Sequence, residues 1–179
     1  MTNVKILNEV WGALEQGPRV VEGLVAAAPK EALTWREADG HWTIVEVLCH
    51  LADGEITDWM PRVEKILSGG GRFAPFNREG GLHRYRGWTA ESLVGEFGQL
   101  RRANLEKIAT LNLSAPHLRL TGEHPEFGTV TLEQLLATWA THDMAHVAQI
   151  SRILTRAFGR SVGPWTKYFS LLNGEQTNG

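Results

Sequence analysis

Two histidines four residues apart, His142 and His146, carry the most specific chemical signal in this sequence. At about 100° per residue they fall on one face of a helix, in the middle of an apolar stripe made by Leu132, Leu135, Trp139, Ile150 and Ile153. Their rings are then separated by about 6 Å along the axis, close enough to share one ion at Zn–N distances of about 2.0–2.1 Å. A single histidine on such a stripe is usually a core residue with its ring nitrogens satisfied. Two on adjacent turns would each need partners, at a cost of about 1–3 kcal/mol for every group left unpaired. A shared cation satisfies one nitrogen of each ring. His50 is the candidate third ligand: it lies beside Val47 and Leu51 on another helical stripe, with Gly54 one turn on leaving space. Three imidazoles, with no thiolate and no fourth protein ligand, resemble an open catalytic site for one divalent ion (zinc, nickel or iron), water filling the remaining position.

Metal-bound histidines usually donate their second N–H to an acceptor. Asp143, Gln149 and Glu55 are the candidates; both carboxylates are equally readable as surface groups, the favoured reading for Glu55. His41, His83, His117 and His124 lie before a cap or in connections and are expected not to ligate. The run from His142 to His146 has aspartate where a zincin helix has its glutamate, and no third downstream ligand. A di-iron carboxylate site would need a second copy of Asp143-x-x-His146, but Glu46 is followed three residues later by Cys49. Cys49 points about 100° away from His50 and reads as a packing residue. Trp139, Trp165 and Tyr168 read as core or dimer contacts rather than catalytic groups.

Four amphipathic segments must position these side chains, and none alternates as a strand does. The first runs from about Val4 to Ala28, with Leu7, Val10, Trp11, Leu14, Val21, Leu24 and Val25 on one face; Gly17-Pro18 predicts a kink or two shorter helices. Thr43 and Glu46 have capping-box spacing and open a second helix to about Ser68, where Gly69-Gly70-Gly71 stops it. A third helix spans about Ala90–Leu111. Thr131 and Gln134 cap a fourth that reaches about Arg156, and Pro164-Trp165 opens a short C-terminal helix. The expectation is an all-α, four-helix bundle, one domain over residues 1–179, with long crossover connections at 69–88 and 112–130. The first connection holds Phe73, Phe76, Tyr85 and Trp88 with Arg72, Arg78, Arg84 and Arg86, a mix that either lines an anion pocket or, the favoured reading, is solvated.

Composition excludes several classes. Of 179 residues 42% are hydrophobic and 21% charged, with a net charge of -2, so no basic field draws the chain to nucleic acid or an anionic membrane surface. One cysteine excludes an internal disulfide framework and a thiolate-rich zinc site. No apolar run approaches the roughly 20 residues of a membrane span, and no secretory leader is apparent, so a cytoplasmic location is expected.

Trp42-Thr-Ile-Val-Glu-Val-Leu-Cys-His50-Leu-Ala-Asp-Gly-Glu55 and Trp139-Ala-Thr-His142-Asp-Met-Ala-His146-Val-Ala-Gln149 together resemble the DinB/YfiT-like superfamily. His124-Pro-Glu-Phe-Gly128 and Gly163-Pro164-Trp165 add to the resemblance, which extends from Leu14 to about Leu171. It implies a bundle with non-sequential neighbours, commonly a homodimer, holding a divalent metal on the histidines that match His50, His142 and His146. Characterised members include thiol-dependent S-transferases and isomerases that use bacillithiol, mycothiol or glutathione. With the open three-histidine site, the expectation is a small-molecule substrate and a thiol-dependent transferase, in which the ion lowers a thiol's pKa and the 69–88 arginines then hold its carboxylates. Two alternatives stand beside it: a metal-dependent hydrolase that activates water, and a non-catalytic binding or structural protein stapled by its metal.

Overall fold

The fold is described from a computed structural model, covering residues 2–172 in backbone and residues 9–172 in side chains. Leu7, expected on the first apolar stripe, lies outside the residues with described side chains. Helix α1 spans Thr2–Ala27, and a single turn α2 spans Lys30–Leu33. The second expected helix begins as α3 (Ile44–Gly54), widens into a π turn at Glu55–Trp59, and resumes as α4 (Met60–Leu67). A short α5 (Gly80–Arg84) and the long α6 (Ala90–Thr110) follow. Then come a turn α7 (Ala115–Leu118), strands β1 (Thr121–His124) and β2 (Gly128–Thr131), and α8 (Leu132–Gly159). The chain continues as 3-10 turns at Gly163–Tyr168 and Ser170–Leu172, where the sequence suggests a short helix. No helix among the described residues is long and apolar enough to cross a membrane.

Local chemistry sets the boundaries. The Thr43 hydroxyl accepts from the Glu46 amide at 3.2 Å while the Glu46 carboxylate accepts from the Thr43 amide at 2.7 Å. Thr131 and Gln134 repeat the arrangement at 3.1 and 2.9 Å. Each box satisfies backbone donors that a helix start leaves orphaned. Gly69, Gly70 and Gly71 all take positive φ, which halts α4 where expected.

Two expectations are corrected. Gly17-Pro18 does not divide the first helix: α1 runs unbroken through Pro18. Proline removes the bond that the Leu14 carbonyl would accept, but that oxygen takes a bond from Arg101 Nη1 at 2.9 Å instead. Strands also exist. β1 and β2 form an antiparallel hairpin, pairing Thr121 with Thr131 and His124 with Gly128. Four residues per strand, TGEH and GTVT, are too short and too polar to show an apolar alternation. Reciprocal bonds fasten the hairpin to the 69–88 connection, Phe73 N to Glu123 O at 2.8 Å and Glu123 N to Gly71 O at 2.9 Å.

The four long elements form a four-helix bundle in which α1 packs on α6 and α8, and α3 packs on α6 and α8. Two apolar clusters fill it. One gathers Val21 and Val25 of α1, Ile44 to Ala52 of α3, Leu93 and Phe97 of α6, and Ile150, Ile153 and Leu154 of α8. The other gathers Leu14, Trp59 to Ile66, Leu105 and Ile108, and Leu132 to Ala140. Every helix changes cluster near its middle, so α1 and α8 run in one sense and the other two in the opposite sense. The crossing point is marked on the four helices by Gly17, Glu55, Arg101 and Asp143, a polar layer between two dry ones.

Candidate metal centre

His50 comes from α3 and is 4% exposed; His142 and His146 come from α8 and are half-buried. Their rings converge. His142 Nε2 lies 2.9 Å from His50 Nε2 and 3.1 Å from His146 Nε2, and the three donors fit within 4.8 Å of one another. A neutral imidazole nitrogen offers one proton or one lone pair. Were protons alone to hold this cluster, a single proton or lone pair on His142 Nε2 would have to serve two neighbours. A cation at the common point takes one lone pair from each ring. With bonds of about 2.0–2.1 Å and ligand angles near 90–109°, its donors would stand about 2.9–3.3 Å apart, the separation found.

Protonation states suit that role. Burial, and then the charges of His146 and His142, push His50 down to about 3. Burial, and then His142, push His146 down to about 4. Both rings are therefore neutral at pH 7. Gln149 Oε1 accepts from His146 Nδ1 at 2.8 Å, which fixes the tautomer that leaves Nε2 free.

Aromatic rings wall the cluster. Trp42 lies 4.9 Å from His50 and is nearly parallel to His146 at 6.5 Å. Phe76 abuts His50 at 5.3 Å, and Trp59 abuts His142 at 5.0 Å. The space expected beside Gly54 is taken by the Trp59 indole, whose Nε1 would be 3.2 Å from a Cβ there. At the rim the Arg78 guanidinium lies 5.4 Å from the Trp42 ring centre, with no carboxylate partner among the described residues. Arg84 binds Asp53 at 2.7 Å, and Arg86 turns to His83. Asp58, 5% exposed, pairs with Arg62 at 2.6 Å. Burial raises its carboxyl above the usual range, against the pull of Arg62, His142 and His124.

The two carboxylates considered as histidine partners do something else. Glu55 is no surface residue: it is 2% exposed. Its oxygens receive Arg101 Nη2 at 2.7 Å and Nε at 3.1 Å, Asn104 Nδ2 at 2.9 Å and Trp139 Nε1 at 3.0 Å. Asp143 receives Arg101 Nη1 at 2.6 Å and Nη2 at 3.1 Å, and lies 3.9 Å from His142 Nδ1, too far for a hydrogen bond. Burial opposes the charge of Arg101, but Glu55 and Asp143 prevail and raise its pKa.

Sequence reasoning passed over Arg101. A signal existed: it shares the register of Leu93, Phe97, Leu105 and Ile108, where a charged side chain points inward. Asp58 was also passed over, eight residues beyond His50. His41, His83, His117 and His124 stay apart from the cluster with partners of their own, the last accepting from the amides of Glu126 and Phe127. Cys49 is buried, and burial and then Glu46 push its thiol up to about 11. Trp139 is a core residue; Trp165 and Tyr168 are 61% and 70% exposed.

A sequence model of the DinB superfamily matches residues 13–150. A protein of Oceanobacillus iheyensis, named as a candidate metal-dependent hydrolase, is 26% identical over 165 residues, spanning 87% of this chain and 90% of that protein. Among solved structures, YfiT from Bacillus subtilis superposes with a TM-score of 0.72 at 21% identity, covering 85% of this chain and 87% of that one. It is described as a probable metal-dependent hydrolase with an unusual four-helix bundle topology.

Proposed function

Because the chain belongs to the DinB superfamily, we propose that it is a metal-dependent hydrolase of small molecules whose ion is held by His50, His142 and His146. The observation that carries this reading is the meeting of three imidazole Nε2 atoms from two helices, at 2.9 and 3.1 Å, with no other metal-ligating side chain in the cluster among the described residues. A zinc, nickel or iron ion there would supply Lewis acidity to a scissile carbonyl or phosphoryl group and make water more acidic. Gln149 keeps His146 turned toward the ion, and Trp42, Phe76 and Trp59 limit water around the rings. The proton acceptor in this reading is Asp58, a buried carboxylate held by Arg62 and adjacent in the chain to Trp59, whose ring abuts His142. Hydrolysis takes precedence over the thiol transfer expected from sequence. The names of the similar proteins favour it, and two of the loop arginines expected to grip a thiol's carboxylates are engaged with Asp53 and His83.

The test is hydrolysis of a panel of small esters, amides and phosphoesters by protein loaded with zinc, nickel or iron and by the same protein stripped with chelator. Turnover should vanish on stripping and return with the ion. Asp58→Asn should retain the ion and lose about 10²- to 10⁴-fold in kcat/KM. Equal hydrolysis with and without metal would refute the reading.

A further inference from the structure

The buried ion-pair layer raises the question of its purpose. Replacing such a triad by well-packed apolar side chains is often neutral or stabilising, so stability alone does not account for it. Its placement is informative. Arg101 stands on α6, which carries none of the three histidines, and its guanidinium reaches both elements that do. Nε and Nη2 grip Glu55, which opens the π turn five residues after His50. Nη1 and Nη2 grip Asp143, the residue after His142. Trp139 Nε1 closes the frame by bonding Glu55 from α8 itself, three residues before His142. Asn104 fills the Glu55 carbonyl as well as its carboxylate.

The first helix is shaped to admit this fork. Pro18 has no amide hydrogen, and the Leu14 carbonyl it releases takes Arg101 Nη1. A Cβ on Gly17 would lie 2.8 Å from Asp143 Oδ2, so only glycine lets the carboxylate sit where the arginine holds it. The Gly17-Pro18 pair, which looks like a helix breaker, is a socket.

We propose that Arg101 is the positioning residue of the metal centre: a rigid fork, seated in the Gly17-Pro18 socket, that sets the spacing between the helix of His50 and the helix of His142 and His146. The proposal rests on the metal reading above. Apolar layers above and below tolerate small slides of one helix on another. Bidentate bonds to a planar guanidinium do not, because distance and direction are both fixed. Lysine keeps the charge but has no fork.

The test measures zinc affinity by competition with a chromogenic chelator, the visible spectrum of the cobalt-loaded protein, and the urea midpoint of each variant. Arg101→Lys should weaken zinc binding by about 10- to 100-fold and alter the cobalt ligand-field bands. Should Arg101→Met fail to fold, the triple variant Glu55→Gln, Arg101→Met, Asp143→Asn removes the charges together and should fold; it should show the same loss. A purely structural Arg101 would lower the urea midpoint and leave affinity and spectrum unchanged, and that result overturns the proposal. Wild-type protein that binds no zinc, or a His142→Ala variant that binds as tightly as wild type, would fail the metal reading itself and the proposal with it.

Discussion

Three glycines of α1 offer a controlled measurement of how tightly the polar layer is built. Gly12 and Gly23 are exposed, and a Cβ at either would meet nothing within 4 Å among the described residues. Alanine at an open helical site should therefore stabilise by about 0.5–1 kcal/mol, the propensity difference between the two residues. Gly17 lies in the same helix and enjoys the same propensity gain, but its Cβ would stand 2.8 Å from Asp143 Oδ2 and 3.6 Å from Arg101 Nη1. Ordinary contact needs roughly half an ångström more. Asp143 cannot retreat cheaply, since Arg101 holds it at 2.6 and 3.1 Å. Overpacking of this kind costs about 1–3 kcal/mol, and against the propensity gain the net effect is a loss of up to about 2.5 kcal/mol, at the upper end where Asp143 is held fast. Urea unfolding resolves differences of this size when the m-value stays constant. Gly12→Ala and Gly23→Ala should raise the midpoint and Gly17→Ala should lower it. A Gly17→Ala midpoint that rises with the other two would mean that the layer gives way freely, and the rigidity assigned to it would be wrong.

Further outcomes are expected from α5 and from Tyr85, which follows it. Tyr85 is buried, its hydroxyl has no hydrogen-bond partner among the described residues, and burial, then Glu96, push its pKa up to about 12. A raised folded-state pKa stabilises the fold fully below the unfolded value near 10 and loses that contribution as pH climbs toward 12, so alkaline titration of the urea midpoint should show a decline over that window. Tyr85→Phe should flatten the decline and gain about 1 kcal/mol at pH 7; a loss at pH 7 would show that the hydroxyl is satisfied after all. Gly81 lets α5 approach α3, since a Cβ would lie 2.4 Å from the Cys49 carbonyl oxygen and 2.9 Å from Asp53 Cβ. Gly81→Ala should cost about 1–3 kcal/mol of stability, read as a lower urea midpoint, and an unchanged midpoint would refute the close fit.

The sequence made the helices legible because their signals are local and redundant: capping boxes at Thr43 and Thr131, a glycine run after Ser68, apolar stripes between. The pairing of His142 with His146 was legible for the same reason, as helical spacing alone puts them side by side. The bonds of Glu55 were not. They depend on Arg101, forty-six positions away, and on Pro18 freeing a carbonyl in a third helix. The hairpin escaped because its strands are held by backbone bonds, to each other and from Glu123 of β1 to Gly71 and Phe73, which leave no apolar pattern. Proline in a helix interior ordinarily signals a break, and the sequence held no mark that a distant guanidinium would replace the lost donor.

The widened turn at Glu55–Trp59 divides one apparent rod into two pieces with different neighbours. Its upper piece answers to α5, α6 and α8; its lower piece answers to the hairpin and α8. The hairpin therefore touches the lower piece, and the widened turn stands between it and His50. The two ends of one apparent helix thus rest on different parts of the fold, the upper on the helices packed about His50 and the lower on the hairpin.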